Sequence, residues 1–277
     1  MLSGLKSARW IFLLTLLAIL PARPAAGLVI GTFDASRAGV GNIAAGDFTH
    51  SVVSTINAQF PGSTFVTFPT ITSPALTGVD ILMIAADKSA TDPITALTAG
   101  EQTAMLDFVK AGGRALILAD AWGNHVPASQ SMVGPFGLTI VDDGLTGVQL
   151  AQISNPTHPV INGPFGSTSQ IGLYGAGNFT NLGPNAVGLA NELATGLPVA
   201  AAIEAHALSS TSGRVVLYTD TQMYIDSAMQ GFFPTHTVLF QNTMAYLAPV
   251  PEPGSLAIMT AALFGLAIVA RRRRRRV

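Results

Sequence analysis

The sequence predicts an α/β domain with a doubly wound, mostly parallel sheet and an inserted region of loops and short strands, placed between an N-terminal signal peptide and a single C-terminal transmembrane helix. Two observations support the sheet. Short apolar runs alternate along the chain with segments that place apolar residues at helical spacing. The runs are continuous, as in parallel strands that are buried on both faces. Such alternation implies right-handed crossovers between parallel strands.

The first part of the domain is predicted to run strand, helix, strand, strand. The apolar runs give strands at residues 28–33, 64–68 and 79–85. The helix lies between the first two strands, at residues 47–59, with Phe48, Val52, Val53 and Ile56 on one face.

Residues 97–120 form the best-defined unit. Thr98 and Glu101 have the spacing of a capping box, which predicts that a helix starts there. The predicted buried stripe of this helix comprises Met105, Leu106, Phe108 and Val109. Gly112 and Gly113 end the helix, and a strand follows at residues 114–120.

A strand at residues 213–220 and a helix at 237–247 repeat this pattern at the end of the domain. Residues 136–208 interrupt the alternation, because they are rich in Gly, Pro, Asn and Thr. Short strands are predicted there at residues 138–141, 187–190 and 199–204. We interpret this region as an insertion that packs on the same core.

Several segments occur in a recognisable order. They are Val79-Asp-Ile-Leu-Met-Ile-Ala85, Leu97-Thr98 with Glu101, Phe108-Val-Lys-Ala-Gly-Gly-Arg114 with the strand that ends in Asp120, Asn155-Pro-Thr-His-Pro-Val160, and Asn242 in the last helix. Together they resemble the class I glutamine-amidotransferase-like superfamily, in its non-catalytic or uncharacterised branches. The resemblance covers most of residues 28–248 and implies a flavodoxin-like or amidotransferase-like sheet.

The residues for glutamine hydrolysis are missing. Active members of that superfamily use a cysteine on a sharp turn after a central strand, together with a downstream histidine. Here the turn reads Asp120-Ala-Trp-Gly-Asn-His125, and the chain contains no cysteine. Glutaminase activity is therefore excluded, and so are all other thiol chemistry and disulfides.

Four aspartates follow predicted strands, and a histidine lies close to one of them: Asp34, Asp87, Asp120, Asp220 and His125. Ligands of open α/β sheets bind at the carboxyl ends of the strands, so these residues are a candidate ligand or metal site for Ca²⁺, Mg²⁺ or sugar hydroxyls. The alternative is that each aspartate caps the helix or turn that follows it. No cofactor is predicted.

The charge of the exported region excludes one class of partner. Between residues 27 and 250 there are five basic and fourteen acidic residues, which leaves a net charge of −9. Such a domain has no basic stripe to neutralise phosphates, so nucleic acid is not an expected partner.

The N-terminus has the three parts of a secretory signal peptide. Lys6 and Arg9 precede an apolar stretch at residues 10–20, and small residues follow, including Ala25 and Ala26. We expect residues 1–26 to direct the chain to Sec-type export machinery and to be removed.

The C-terminus, residues 249–277, combines Pro251, Glu252 and Pro253 with an apolar run of sixteen residues and six arginines. This order resembles the PEP-CTERM sorting signal, which implies processing by an exosortase and delivery to the cell surface or the extracellular space. The run would span about 24 Å as a helix and can insert if the arginine side chains snorkel. The arginines hold the C-terminus in the cytoplasm, so the protein crosses the inner membrane N-out, C-in before processing. A permanent tail anchor would have the same topology.

Two functions are compatible with the residues. The favoured one is an exported, non-catalytic surface or extracellular-matrix protein whose domain (residues 27–248) binds a glycan or a surface protein. Trp122 either stacks on a sugar or covers the edge of the sheet. The alternative is a metal-dependent hydrolase that acts on extracellular polymer through the strand-end carboxylates.

Overall fold

The structure is a computed structural model that describes residues 27–45, 49–89, 92–229, 233 and 235–249. The predicted signal peptide, the Pro-Glu-Pro motif and the C-terminal apolar run lie outside these residues. Within the described part of the chain, no helix is both long enough and apolar enough to cross a bilayer.

The described residues form thirteen strands and five α-helices, together with short 3₁₀ turns. The strands are β1 (Val29–Phe33), β2 (Thr64–Phe68), β3 (Ile81–Ala85), β4 (Arg114–Leu118), β5 (Thr139–Asp142), β6 (Val148–Ile153), β7 (Asn162–Gly163), β8 (Gly166–Ser167), β9 (Gln170–Tyr174), β10 (Gly177–Asn181), β11 (Ala186–Glu192), β12 (Pro198–Ile203) and β13 (Val215–Tyr218). The helices are α1 (Ala35–Ala38), α2 (His50–Gln59), α3 (Ala99–Lys110), α4 (Val126–Val133) and α5 (Thr235–Leu247).

Nine strands form one mixed sheet in the order β2-β1-β3-β4-β13-β12-β11-β6-β9. The first five are parallel to one another, and the chain leaves β1 in one direction and β3 in the other, as in a doubly wound fold. The remaining four continue the sheet in antiparallel fashion. The predicted α/β class with a mostly parallel sheet is confirmed, and residues 136–208 supply the antiparallel part of that sheet.

Both faces of the parallel half are covered by helices, which explains why its strands are continuously apolar. In β3, Ile81 and Met83 face a core cluster that contains residues of α2 and α5. Leu82 and Ile84 face a second cluster that contains residues of α3 and α4. All four side chains are fully buried. Each β3 residue therefore contributes to one of two cores, and a polar residue at any of these positions would be costly.

Helix α3 begins as its sequence predicts. The Thr98 hydroxyl accepts a hydrogen bond from the Glu101 amide, and the Glu101 carboxylate accepts one from the Thr98 amide, which completes the capping box. Met105 and Val109 are fully buried. Phe108, predicted to be buried with them, is only partly buried and packs at the margin of the core, where its ring covers Gly113.

The outer edge strand β9 curls back to the carboxyl end of β13. Two of its amides find side-chain acceptors there: Tyr174 donates to Asp220 Oδ2 at 2.8 Å and Gly172 donates to His236 Nε2 at 3.1 Å. Buried side chains thus satisfy an edge that would otherwise present unpaired donors to solvent or to another strand.

Candidate binding site at the carboxyl ends of the strands

Three of the four predicted aspartates meet at the carboxyl ends of three adjacent strands. Asp87 follows β3, Asp120 follows β4 and Asp220 follows β13, and all three residues are buried. His125, from the turn after β4, is also buried and brings Nε2 to 3.3 Å from Asp87 Oδ1. We call Asp87, Asp120, His125, Asp220 and Thr221 the strand-end cluster.

Thr221 joins two of the carboxyl groups. The Thr221 hydroxyl donates to Asp87 Oδ2. Its oxygen, Oγ1, also lies 3.2 Å from Asp120 Oδ2. Burial, followed by the nearby charges of Asp87 and Asp220, raises the pKa of Asp120 to about 9. The Thr221 hydroxyl has a single proton and can donate to only one of the two carboxyl groups, so when it donates to Asp87 a protonated Asp120 donates to Thr221.

The tautomer of His125 follows from its partners. Nδ1 lies 2.8 Å from the carbonyl oxygen of Trp122, which can only accept, so Nδ1 carries a proton. Nε2 then lies 3.3 Å from Asp87 Oδ1, but the two atoms form no hydrogen bond of good geometry. Burial raises the pKa of Asp87 to about 6, while the Thr221 hydroxyl and the His125 charge oppose that rise.

Asp220 is held by two backbone amides. Its Oδ1 accepts from Gln222 at 2.7 Å and its Oδ2 accepts from Tyr174 at 2.8 Å. Burial raises the pKa of Asp220 to about 7, against the lowering effect of both amides. The carboxylate form suits both bonds, because a protonated oxygen would meet an N–H group.

Asp34 has a different role. Its carboxylate accepts hydrogen bonds from the Ser36 amide at 2.9 Å and the Arg37 amide at 3.3 Å, which makes it the N-cap of α1. It shares no hydrogen bond with the strand-end cluster among the contacts of the described residues. Capping, the alternative stated for all four aspartates, is therefore the arrangement at Asp34.

The cluster shows little of the geometry of a metal centre. No group of three or more His, Asp or Glu side chains in the described part of the chain is arranged to hold a metal ion. The carboxylate oxygens instead take protein donors: Thr221, the Trp122 amide on Asp120 at 2.8 Å, and the two amides on Asp220. The chemistry of this donor set is that of an internal hydrogen-bond network.

A cavity of about 170 Å³ lies beside the cluster, next to β3 and β4 and the first turn of α2. Asp87, Thr221 and Gln222 line it together with apolar side chains. It is close to the switch point between β1 and β3, where ligands of doubly wound sheets bind. The apolar lining residues are Ile43, Val52, Met83, Ala85, Leu118 and Ile225.

Two exposed aromatic residues lie on the outside of the cluster and are fixed by it. Trp122 is 39% exposed, and its amide donates to Asp120. Tyr174 is 52% exposed, and its amide donates to Asp220. The Trp122 ring covers Gly175, where an added Cβ would lie 3.5 Å from the ring. We call Trp122 and Tyr174 the aromatic face.

Sequence reasoning missed three members of this arrangement. Thr221 directly follows a predicted strand-end aspartate, so a hydroxyl beside a carboxylate was the available signal. The hydroxyl of Ser129, on α4, accepts a hydrogen bond from the Asp120 amide at 2.8 Å and donates one to the Asp120 carbonyl. Nothing in the sequence around Ser129 indicates these contacts. Tyr174 lies on a strand that the sequence did not predict.

Known proteins resemble this chain in a short C-terminal motif and in the fold of its domain. Residues 249–275 match the PEP-CTERM protein-sorting motif. No curated protein matches the chain.

Among solved structures, the mmIFT52 N-terminal domain is similar at 13% identity and a TM-score of 0.59, covering 81% of this chain and 98% of that one. A ThuA-like protein from Bacteroides uniformis is similar at 12% identity and a TM-score of 0.52, covering 84% and 96%. A cytoplasmic protein from Salmonella typhimurium is similar at 12% identity and a TM-score of 0.51, covering 80% and 99%. These likenesses concern the fold alone.

The chain thus carries, C-terminal to its domain, a PEP-CTERM sorting motif, which marks an exported protein that is processed by an exosortase. The fold of the domain is similar to that of ThuA-like, class I glutamine-amidotransferase-like proteins.

Proposed function

We propose that this protein resides at the cell surface or in the extracellular matrix, where its domain binds an uncharged polysaccharide without catalysing a reaction. The sorting motif supports the location. The observation that carries the binding proposal is the aromatic face, two exposed rings whose backbones are hydrogen-bonded to buried carboxylates.

The aromatic face is suited to sugar rings because it is large and held in place. Trp and Tyr offer much contact area for few rotatable bonds, so little entropy is lost when a ligand binds. Here the backbone is restrained as well, through Asp120 for Trp122 and Asp220 for Tyr174. Exposed apolar side chains on the adjacent strand β6, Val148 and Leu150, extend the surface.

The charge around the aromatic face favours a partner without negative charge. Asp142, which accepts from the Gly123 amide next to Trp122, is exposed, and Asp143 lies beside it. Carboxylates at this position accept hydrogen bonds from sugar hydroxyls and repel uronates or sulfated sugars. The net charge of −9 for the exported region acts in the same direction.

The strand-end cluster supports a non-catalytic role. Asp120 and Asp220 are buried, and their oxygens are engaged by Trp122, Thr221, Tyr174 and Gln222. Buried carboxyl groups whose oxygens already form hydrogen bonds within the protein are poorly placed to act as a general acid or base on a polymer bound at the aromatic face.

Isothermal titration of the exported protein with cellohexaose, a chitin hexamer and oligogalacturonate tests the proposal. We expect at least one neutral oligomer to bind and oligogalacturonate not to bind. Trp122→Ala and Tyr174→Ala should each weaken binding about tenfold, or about 1.4 kcal/mol. Phe165→Ala is the matched control, because Phe165 is 42% exposed and lies in the β7–β8 turn.

Equal weakening by Phe165→Ala, or tighter binding of oligogalacturonate than of any neutral oligomer, would show that the aromatic face is not a site for neutral polysaccharide.

A further inference from the structure

The cavity beside the strand-end cluster is separate from the aromatic face, since neither Trp122 nor Tyr174 lines it. Its walls are mainly apolar side chains from the carboxyl ends of β3 and β4 and from α2, and residues 221–225 close one side. A volume of about 170 Å³ is close to that of an engineered apolar cavity of roughly 150 Å³ that holds one benzene molecule. The cavity therefore accommodates a molecule with a single ring or a short branched chain.

Asp87 is the one carboxylate that lines this cavity among the residues described, and its hydrogen bonding is incomplete. Oδ2 is satisfied by the Thr221 hydroxyl. Oδ1 has no hydrogen bond of good geometry, because the nearest donor candidate, His125 Nε2, is 3.3 Å away and poorly aligned. A buried carboxylate oxygen that lacks a donor is costly. Oδ1 itself is buried, so a group in the cavity approaches the carboxylate through the 13% of the side chain that is exposed elsewhere.

We propose that this cavity binds a small monocationic amine, with its apolar body against Met83, Val52 and Leu118 and its ammonium group at the Asp87 carboxylate. The ammonium supplies a positive charge and a further donor to a carboxylate whose hydrogen bonding is incomplete. An amine also fits the charge of the surroundings, because Asp220 lies in the same cluster as Asp87 and an anion would be repelled by both carboxylates.

Size and charge can be separated with four compounds of almost equal shape. Benzylamine, benzyl alcohol, toluene and benzoate share one ring and differ in the group that would meet Asp87. By isothermal titration of the exported protein at pH 7.5, we expect benzylamine to bind at least tenfold more tightly than benzyl alcohol. Toluene should bind more weakly still, and benzoate should not bind.

The location of binding has its own readout in the methionine methyl groups. Met83 lines the cavity, whereas Met105 belongs to the core on the opposite face of the sheet. In a ¹³C-methyl NMR titration, benzylamine should shift the Met83 signal and leave the Met105 signal in place.

Two variants test the two parts of the site. Asp87→Asn should remove the preference for benzylamine over benzyl alcohol. Asp143→Asn is the control carboxylate, because Asp143 does not line the cavity, and it should keep the preference. Ile225→Trp should fill the cavity from its partly exposed side and weaken benzylamine and benzyl alcohol alike. Melting curves confirm that each variant is folded.

The affinity for benzylamine should also fall as the pH is lowered through about 6, where Asp87 takes up a proton. The titratable groups that face Asp87 are His125, which attracts its charge, Asp220, whose negative charge repels it, and Asp120, whose pKa of about 9 keeps it protonated in this range. Benzylamine stays cationic throughout this range, so the change reports on the protein.

Equal affinities for benzylamine and benzyl alcohol, an Asp87→Asn variant that keeps the preference, or a Met83 signal that does not move would each overturn the proposal. Polysaccharide binding is independent of it, because Trp122→Ala should leave benzylamine affinity unchanged.

Discussion

Asp120 and Asp220 are both buried strand-end aspartates, yet they differ in what their oxygens meet. Asp120 accepts one amide, from Trp122, and its other oxygen faces the Thr221 hydroxyl. Asp220 accepts an amide on each oxygen. The first arrangement suits a protonated acid or an amide, and the second suits only a carboxylate. This difference gives a prediction at the level of single atoms.

Asp120→Asn should change the free energy of unfolding at pH 7 by less than about 1 kcal/mol, because the amide can accept from Trp122 and donate to Thr221. Asp220→Asn should cost about 1–3 kcal/mol, because its NH₂ group must face a backbone N–H and leave it unpaired. Urea denaturation of the two variants checks this. Similar losses in both would mean that the assigned donors and acceptors are incorrect.

The sequence could predict that these carboxyl groups share one end of the sheet, since each follows a parallel strand. It could not predict which would turn inward. Asp34 and Asp120 both accept an amide two residues ahead, but Asp34 caps a surface helix while Ser129 from α4 holds Asp120 in the core. That distinction depends on an element distant in sequence.

At the scale of elements, the strands of the parallel half of the sheet were predictable, whereas in the antiparallel half only β11 and β12 were. Strands such as β3 and β4 are continuously apolar because helices cover both faces. Strand β6 is buried at alternate positions only, and β9 contains Gly172, over which Phe233 packs. Their short, half-polar segments resemble loops in a single sequence, and pairing partners decide their structure.

His236 supplies the hydrogen-bond acceptor for the Gly172 amide on edge strand β9. This side chain is fully buried, accepts from Gly172 at Nε2 and lies 2.8 Å from the Met223 carbonyl at Nδ1, so it must be the neutral Nδ1–H form. Burial lowers the pKa of His236 from 6.5 to about 4. Protonation would place a donor against the Gly172 amide and charge a buried site.

His236→Phe should cost about 1–3 kcal/mol at pH 7, because the Gly172 amide loses its acceptor. The folded-state pKa lies below the unfolded value, so the contribution of His236 is present above pH 6.5 and is lost as the pH falls towards 4. The wild type should therefore lose about 3 kcal/mol of stability relative to the variant over this interval, so that at pH 4 the variant is as stable as the wild type or more stable.

Denaturant melts of both proteins at a series of pH values measure this difference, and pH effects of the aspartates cancel in the comparison. A difference that stays constant between pH 7 and pH 4 would mean that His236 is not the neutral acceptor at this edge.

At the scale of the whole molecule, the strongly basic C-terminus and the acidic domain carry opposite charges, and the sorting motif lies between them. Residues 271–276 are all arginine, whereas the exported region has a net charge of −9. We expect this cluster of arginines to resist transfer across the inner membrane while the domain is exported ahead of it. On this topology, removal of the tail would decide whether the protein stays attached to the membrane.

The Pro-Glu-Pro motif should be required for that removal. Replacing Pro251, Glu252 and Pro253 by alanine leaves the apolar run and the arginines intact, so the variant should be exported but remain in the inner-membrane fraction. Pro234→Ala, a proline outside the motif, serves as the control and should be processed normally. Mass spectrometry of the surface or secreted wild-type protein should find no peptide from residues 271–276. Intact arginines on the exported protein would instead identify the C-terminus as a permanent anchor, because a tail that is never cut keeps its whole basic segment.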